Sequence, residues 1–500
     1  MCGARCGGTQ ILDGRSSAGS PVITSSKARW TSAMVGWRAV VNKAGASGQQ
    51  IDSTVVAVSN AGLLKLAVAA STTSSGNTVS VYPDDTGELD AAFAAAGNAR
   101  ITVQLPAGAV CGYANPGASV FKTIAGTGLF LNSGTLWLAH TGPAMDTGIG
   151  LNFTANGSIV RGPGVISGLY QTDQNAAQYN TTAILFSGTT GSSISGHVTI
   201  ENTKGRAFLA DAVTDFAITD VTARACGDFA FHPPNGMDIM TGRSMCGQVT
   251  APKGTLTVKN YTGLDAAQAG FLLYGPTDAA FNATFVGCRF SGNGFFGLDL
   301  EEISGTVAVS DCEQTGNGQV PSAGLVYGGY IVRDVANFSA INIKSSLTDS
   351  NAFVILSADS KANLQDWSVN GLSLTGTPSS HAATLYIAFS YSGTPQRVTL
   401  KDVTYDNWSM YVNGAPCTRS APRQQLLSFE NVRASGLYRG TQTELNFQAN
   451  PGQMTYVEGR NSDLGSANIK ALTGNQSAIF LDVAGVRGSS SFTKPAPFHC

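Results

Sequence analysis

The sequence predicts an all-β solenoid, a single-stranded parallel β-helix, and three observations carry that expectation. Two segments nearly repeat, Gly-Cys-Arg-Phe-Ser-Gly-Asn-Gly at 287–294 and Asp-Cys-Glu-Gln-Thr-Gly-Asn-Gly at 311–318. Cys288 thereby matches Cys312, Asn293 matches Asn317 and Gly294 matches Gly318, at an offset of 24 residues. Short apolar strands and Gly/Asn turns recurring every 20–30 residues or so mark coils that cannot bury their apolar faces alone and must stack. Gly accounts for 59 of the 500 residues, and Asp, Glu, Lys and Arg together for only 12%, about half the share of charge in an ordinary soluble chain. Hydrophobic residues at 43% are too many for bulk disorder.

Taken in order, residues 1–20 are Gly/Ser-rich and are expected to be flexible. Residues 21–82 alternate as a small β-module, with strands at Val35–Val41, Ser53–Val58 and Leu63–Ala69 between Gly/Ser/Asn turns. The pattern changes at Tyr82-Pro83-Asp84-Asp85-Thr86-Gly87-Glu88. Asp85 or Thr86 can cap a helix over 86–97, and Glu88 stands three residues after Asp85 as in a capping box. Gly97 and Asn98 end that helix, and Ile101–Leu105 reads as a strand before Pro106-Ala107-Gly108. Further strands are expected at Leu129–Leu138, Gly157–Ile166, Ala183–Phe186, Val198–Glu201, Phe216–Val221, Thr255–Val258, Thr284–Val286, Val307–Val309, Ile341–Ile343, Trp367–Val369 and Val398–Val403. The β-helix is bounded at 83–425. Residues 426–500 read equally as terminal coils, a cap or an oligomerisation segment.

Asp84-Asp85-Thr86, the Ala-rich helix, the strand Ile-Thr-Val-Gln-Leu-Pro and the following Pro-x-Gly resemble the opening of the pectate-lyase-like right-handed parallel β-helix domain. That domain is common in phage tailspikes and bacterial polysaccharide-degrading enzymes. The resemblance is clear over residues 82–110 and is consistent with the coil pattern to about 430. It implies a right-handed helix whose short capping α-helix covers the strand edges of the first coil. Met34–Tyr82 is similar to the module that often precedes this domain in phage tail proteins. The resemblance further implies a polysaccharide partner, a homotrimer, attachment to a virion tail or baseplate through the N-terminal region, and a virion or extracellular location. It says little about which sugar is bound.

A formal net charge of −2 gives no reason to expect a nucleic-acid partner, which requires a basic surface. The first ten residues lack the apolar core of a standard signal peptide, and no run of 18 apolar residues would span a membrane. Nine cysteines are scattered without Cys-x-x-Cys pairs, which argues against a zinc site or a disulfide framework. No metal or cofactor is expected. Cys288 and Cys312 read as reduced thiols in one interior column.

Four segments align on a leading glycine: Gly236-Met237-Asp238-Ile239-Met240, Gly270-Phe271-Leu272-Leu273-Tyr274, Gly297-Leu298-Asp299-Leu300-Glu301 and Gly329-Tyr330-Ile331-Val332-Arg333. If these are one strand in successive coils, Asp238, Leu272, Asp299 and Ile331 form one outward column. Met240, Tyr274, Glu301 and Arg333 form the next. Asp238 would then stand two coils from Asp299, roughly 9.6 Å away, within about the span that holds a water in inverting glycoside hydrolases. On this reading Asp299 or Asp238 is a base, Glu301 an acid, and Tyr274 and Arg333 position the sugar. Glu302 faces the other way or begins the corner, and His232 lies on the loop leading to Asp238. Outward acids on a solenoid are usually only solvated, and a Glu–Arg ladder can be purely structural. Trp367 and Trp408 are better read as packing residues than as sugar platforms.

Three function classes stay open. The leading one is a tailspike-type depolymerase, a glycoside hydrolase acting on bacterial surface glycan. The second is a polysaccharide lyase or uronate epimerase, which needs a cation to stabilise the charge left by proton abstraction, for which Arg333, Lys344 and His232 are candidates. The third is a β-helical shaft that grips glycan without cutting it.

Overall fold

A computed structural model describes residues 5–99, 101–115, 121–124, 128–140, 150–169, 182–203, 205–227, 245–318, 328–346, 351–356, 366–375, 384–388, 396–406, 409–413, 415–416, 425–435, 437–438, 441–442, 444–448, 453–463, 468–471 and 478–482. The chain divides near residue 247 into two compact units.

The first unit opens with six antiparallel strands, β1 (Thr9–Ser16), β2 (Val22–Thr24), β3 (Arg38–Val41), β4 (Ile51–Asn60), β5 (Leu63–Leu66) and β6 (Ser74–Tyr82). They close into a barrel in the order β1-β2-β5-β4-β3-β6. Alternation along each strand sends Ile23, Val41, Val55, Leu64, Leu66, Val79 and Val81 inward around Trp30. Residues 9–16, expected to be flexible, are a barrel strand. Their Gly and Ser content obscured an edge that pairs with β6 from Thr9↔Val81 to Ser16↔Ser74.

Beside this core lies a half-buried ion pair, Arg38 with Asp52 at 2.5 Å. Burial pushes the Asp52 carboxyl up to about 6, against the pull of Arg38 and with help from Asp84. A raised carboxyl binds its proton more tightly in the folded state, so stability falls as pH rises from the unfolded value near 4 through 6. Between pH 7.5 and pH 5 the wild type is expected to gain about 1 kcal/mol relative to Asp52→Asn. Urea unfolding of the two proteins at both pH values checks this, and a constant difference would refute it.

α1 (Thr86–Ala99) follows, two residues longer than expected. The Asp84 carboxylate takes the Thr86 N–H at 3.1 Å and its hydroxyl at 2.5 Å, a side-chain turn that starts the helix. Asp85, expected as a cap, instead accepts the backbone N–H groups of Arg5 at 2.7 Å, Cys6 at 3.2 Å and Gly112 at 3.3 Å. The N-terminal segment is thereby drawn onto the first coil, where Gly8 N–H donates to the Val110 carbonyl at 3.1 Å.

Parallel coils come next. Thr102–Gln104, Gly128–Phe130, Ile159–Arg161 and Ser193–Thr203 pair in register along one side, and Val110–Asn115, Thr135–His140 and Gly164–Ser167 along another. Disulfides join Cys6 to Cys111 and Cys226 to Cys246. They correct the sequence reading, because spacing reveals neither pair until the fold brings the partners together.

The second unit repeats the plan. Lys253–Lys259, Asn282–Val286, the later part of Phe296–Ser310, the middle of Gly328–Ser346, Asp366–Thr375, Gln396–Lys401, Gln425–Glu430 and Gln453–Arg460 stack as one parallel face. Parallel pairing continues beyond residue 425 through Gln425–Glu430 and Gln453–Arg460. Each strand ends on one left-handed residue: Asn260, Gly287, Asp311, Asn342, Gly371, Asp402, Asn431 and Asn461, with φ between 47° and 72°. Gly bears this conformation freely, and Asn and Asp bear it better than other residues. Asn342 Nδ2 donates to Asp311 Oδ1 at 3.1 Å along the column.

The near-repeat is a stack as expected. Arg289↔Glu313 and Ser291↔Thr315 are in register, and Asn293 Nδ2 donates to Asn317 Oδ1 at 2.8 Å. Cys288 and Cys312 are buried and unbridged. Among the described residues, no helix is long and apolar enough to cross a membrane.

Candidate active site

Three adjacent strands build the site, Ala269–Tyr274, Phe296–Ser310 and Gly328–Ser346. Their register places Leu272, Asp299 and Ile331 in one column and Tyr274, Glu301 and Arg333 in the next. Phe271 and Leu273, Leu298 and Leu300, Tyr330 and Val332 alternate into the core, each no more than 1% exposed. The leading-glycine alignment therefore holds for these three coils.

It does not extend one coil further. The strand paired with Ala269–Tyr274 is Gly247–Thr250, and Ala251 N–H donates to the Tyr274 carbonyl at 2.8 Å. Gly275 N–H donates to the Glu301 carbonyl in the same way at 3.0 Å, so Thr250 stands beside Tyr274 and Gln248 beside Leu272. The position assigned to Asp238, two coils before Asp299, belongs to Gln248, whose Nε2 donates to Thr250 Oγ1 at 3.0 Å. Asp238 and His232 themselves lie outside the described residues, as does Trp408. Gly247-Gln248-Val249-Thr250 carries an alternating polar pattern that could have announced it, but so does the Asp238 segment, and alternation does not rank them.

Outward does not mean exposed here. Asp299 is 2% exposed and Glu301 8%, while Tyr274 retains 36% and the Arg333 side chain 28%. Arg333 Nη2 forms an ion pair with Glu301 Oε2. The Asp299 and Glu301 carboxyls are hydrogen-bonded to each other, and Asp299 Oδ1 is buried without another partner. Burial first, and then the charge of Glu301, hold the Asp299 carboxyl well above the usual carboxylate range, against the pull of Arg333. Two adjoining carboxyls cannot both ionise cheaply, so the one without a cation keeps the proton. Asp299 is thus suited to hold a proton, beside a Glu301 side chain paired with Arg333.

Glu302 begins the corner, as one of the two alternatives had it. It has φ of 54°, in a column with Ala251 at 45°, Gly275 at 71° and Asp334 at 53°. Trp367 is a packing residue, 5% exposed, with its indole N–H on the Val335 carbonyl at 2.6 Å. The Cys6, Asp85 and Cys111 ligand atoms cluster within 4.8 Å of one another, but the two sulfurs are bonded to each other and the carboxylate is taken up by backbone N–H groups.

No protein-family model matches the sequence, and no curated protein matches it. Solved structures do. The tailspike protein gp49 from Pseudomonas phage LKA1 is 9% identical, over 96% of this chain and 67% of that one, with a TM-score of 0.35. The A-module of the mannuronan C-5 epimerase AlgE6 from Azotobacter vinelandii is 14% identical, over 83% and 97%, with a TM-score of 0.41. The catalytic domain of a GH87 alpha-1,3-glucanase is 11% identical, over 97% and 90%, with a TM-score of 0.31. By its own strand pairings the chain is a parallel β-helix.

Proposed function

We propose that the chain is a polysaccharide depolymerase of tailspike type, a glycoside hydrolase of bacterial surface glycan that works at the Asp299/Glu301 face. The observation that carries this reading is the division of labour within one buried couple. Burial and the neighbouring Glu301 push the Asp299 carboxyl well above the usual carboxylate range, and Glu301 is paired with Arg333. A carboxylic acid kept neutral near neutral pH can protonate a glycosidic oxygen, and an adjacent carboxylate can stabilise the cationic sugar that results. Tyr274 and Arg333, the exposed members of the cluster, border the approach and would orient the sugar. Homotrimeric assembly and attachment to a virion tail through residues 21–82 belong to the same proposal, and sedimentation of the purified protein gives the trimer its first test.

Incubation with a panel of capsular and O-antigen polysaccharides should release reducing ends without unsaturated products. Asp299→Asn should lower the rate by about 10²-fold or more with the circular dichroism spectrum unchanged. Unsaturated products would move the chemistry to a lyase, and undiminished activity in the variant would remove Asp299 from it. The burial of both carboxyls favours one other reading, a fixed internal charge cluster in a shaft that binds glycan without cutting it. Retained binding with no new ends from any polymer would establish that reading instead.

A further inference from the structure

We infer that the face around Asp299 and Glu301 accepts an uncharged glycan and rejects chains bearing uronate, sulfate or phosphate. This rests on the reading of that face as a glycan site. Eight outward positions in four successive coils define the surface: Gln248, Leu272, Asp299 and Ile331, then Thr250, Tyr274, Glu301 and Arg333. They hold two carboxyls and one guanidinium. The corner column that follows, Ala251, Gly275, Glu302 and Asp334, adds two more acids.

The one cation of these columns is already engaged by Glu301. An anionic sugar would meet either a carboxylate at close range, a repulsion that specificity commonly exploits, or an Arg333 it could reach only by displacing Glu301. Displacement would leave a mostly buried carboxylate without a partner, which a weak glycan contact cannot offset. Uronate lyase or epimerase chemistry is disfavoured on the same ground, because it needs an uncommitted cation beside the substrate carboxylate.

A neutral ring meets no such obstacle. Leu272 and Ile331 beside Asp299 are buried and uncharged, and the Tyr274 ring is 36% exposed. An exposed aromatic ring of this kind suits the C–H face of an uncharged sugar.

The test uses one uronate-containing bacterial polysaccharide, native and after chemical reduction of its carboxyls to the corresponding neutral hexoses. Wild-type protein should cleave the reduced polymer at least about tenfold faster than the native one. Equal or faster cleavage of the native polymer would overturn the inference. In parallel, equilibrium dialysis measures binding of a short oligouronide. Wild-type protein should show little uptake, whereas Glu301→Gln, which releases Arg333, and Thr250→Lys, which adds a cation beside Tyr274, should each bind about tenfold tighter or more. Tight, salt-sensitive binding by the wild type would sink the idea. If neither polymer is cleaved, the cleavage reading falls alone, and the dialysis result still decides the charge of the accepted glycan. Thr250→Lys keeps the question answerable should Glu301→Gln fail to fold.

Discussion

Glu301→Ala lowers the stability of the unit that carries it by about 3 kcal/mol, because removing one partner of a buried ion pair strands the other. The lower end of the usual range applies, since the Arg333 side chain keeps 28% of its surface in solvent. The loss is also felt by Asp299, whose carboxyl would be left without its hydrogen-bonding partner. Two companions make the result interpretable. Glu301→Gln preserves a hydrogen-bonding side chain of the same length and should cost less. The double variant Glu301→Ala/Arg333→Met removes the stranded charge and should recover most of the loss, as replacing whole buried pairs by apolar groups commonly does. Urea unfolding of these proteins and of Arg333→Met alone reads the coupling directly. Additive losses would mean that Glu301 and Arg333 do not depend on each other.

The second large effect belongs to the first unit. Cys6→Ser/Cys111→Ser is expected to cost about 4–5 kcal/mol, since the bond closes a loop of 105 residues and a cross-link of that span removes much of the freedom of the unfolded chain. Replacing both cysteines avoids leaving a lone thiol. Hydrogen exchange at the amides of Val79–Tyr82, in the strand that pairs with β1, should accelerate accordingly. The three backbone N–H bonds to Asp85 would remain and would hold the segment more weakly. A change below about 1 kcal/mol would show that these bonds alone retain it, and that the disulfide adds little beyond them.

Much of this molecule was legible because stacked coils put like residues over like. The match of Cys288 with Cys312 and of Asn293 with Asn317 gave one register, and Gly270, Gly297 and Gly329 gave another. Both agree with the observed pairing. What failed has two physical sources. Alternation tells which side of a strand a residue faces, not whether that side is covered, so Asp299 was expected in solvent and is instead 2% exposed. The upward push on its carboxyl follows from that burial and could not be read beforehand. Register is fixed by hydrogen bonding between particular strands, so an alignment that works for three coils gives no warrant for a fourth. Gln248 occupies the place read as Asp238 for this reason. The disulfides were hidden more completely, since Cys6 and Cys111 meet only after a barrel and a helix have intervened.

The column of left-handed corners from Asn260 to Asn461 acts as an index along the chain. The steps between its members are uneven, 24 residues from Gly287 to Asp311 but 31 from Asp311 to Asn342, yet the strands before each corner keep perfect step. Length is therefore free to vary elsewhere in the turn of the coil while the index holds. Such a chain can be revised one cassette at a time: a segment spliced between two corners changes what the neighbouring surface displays without disturbing how the next coil seats.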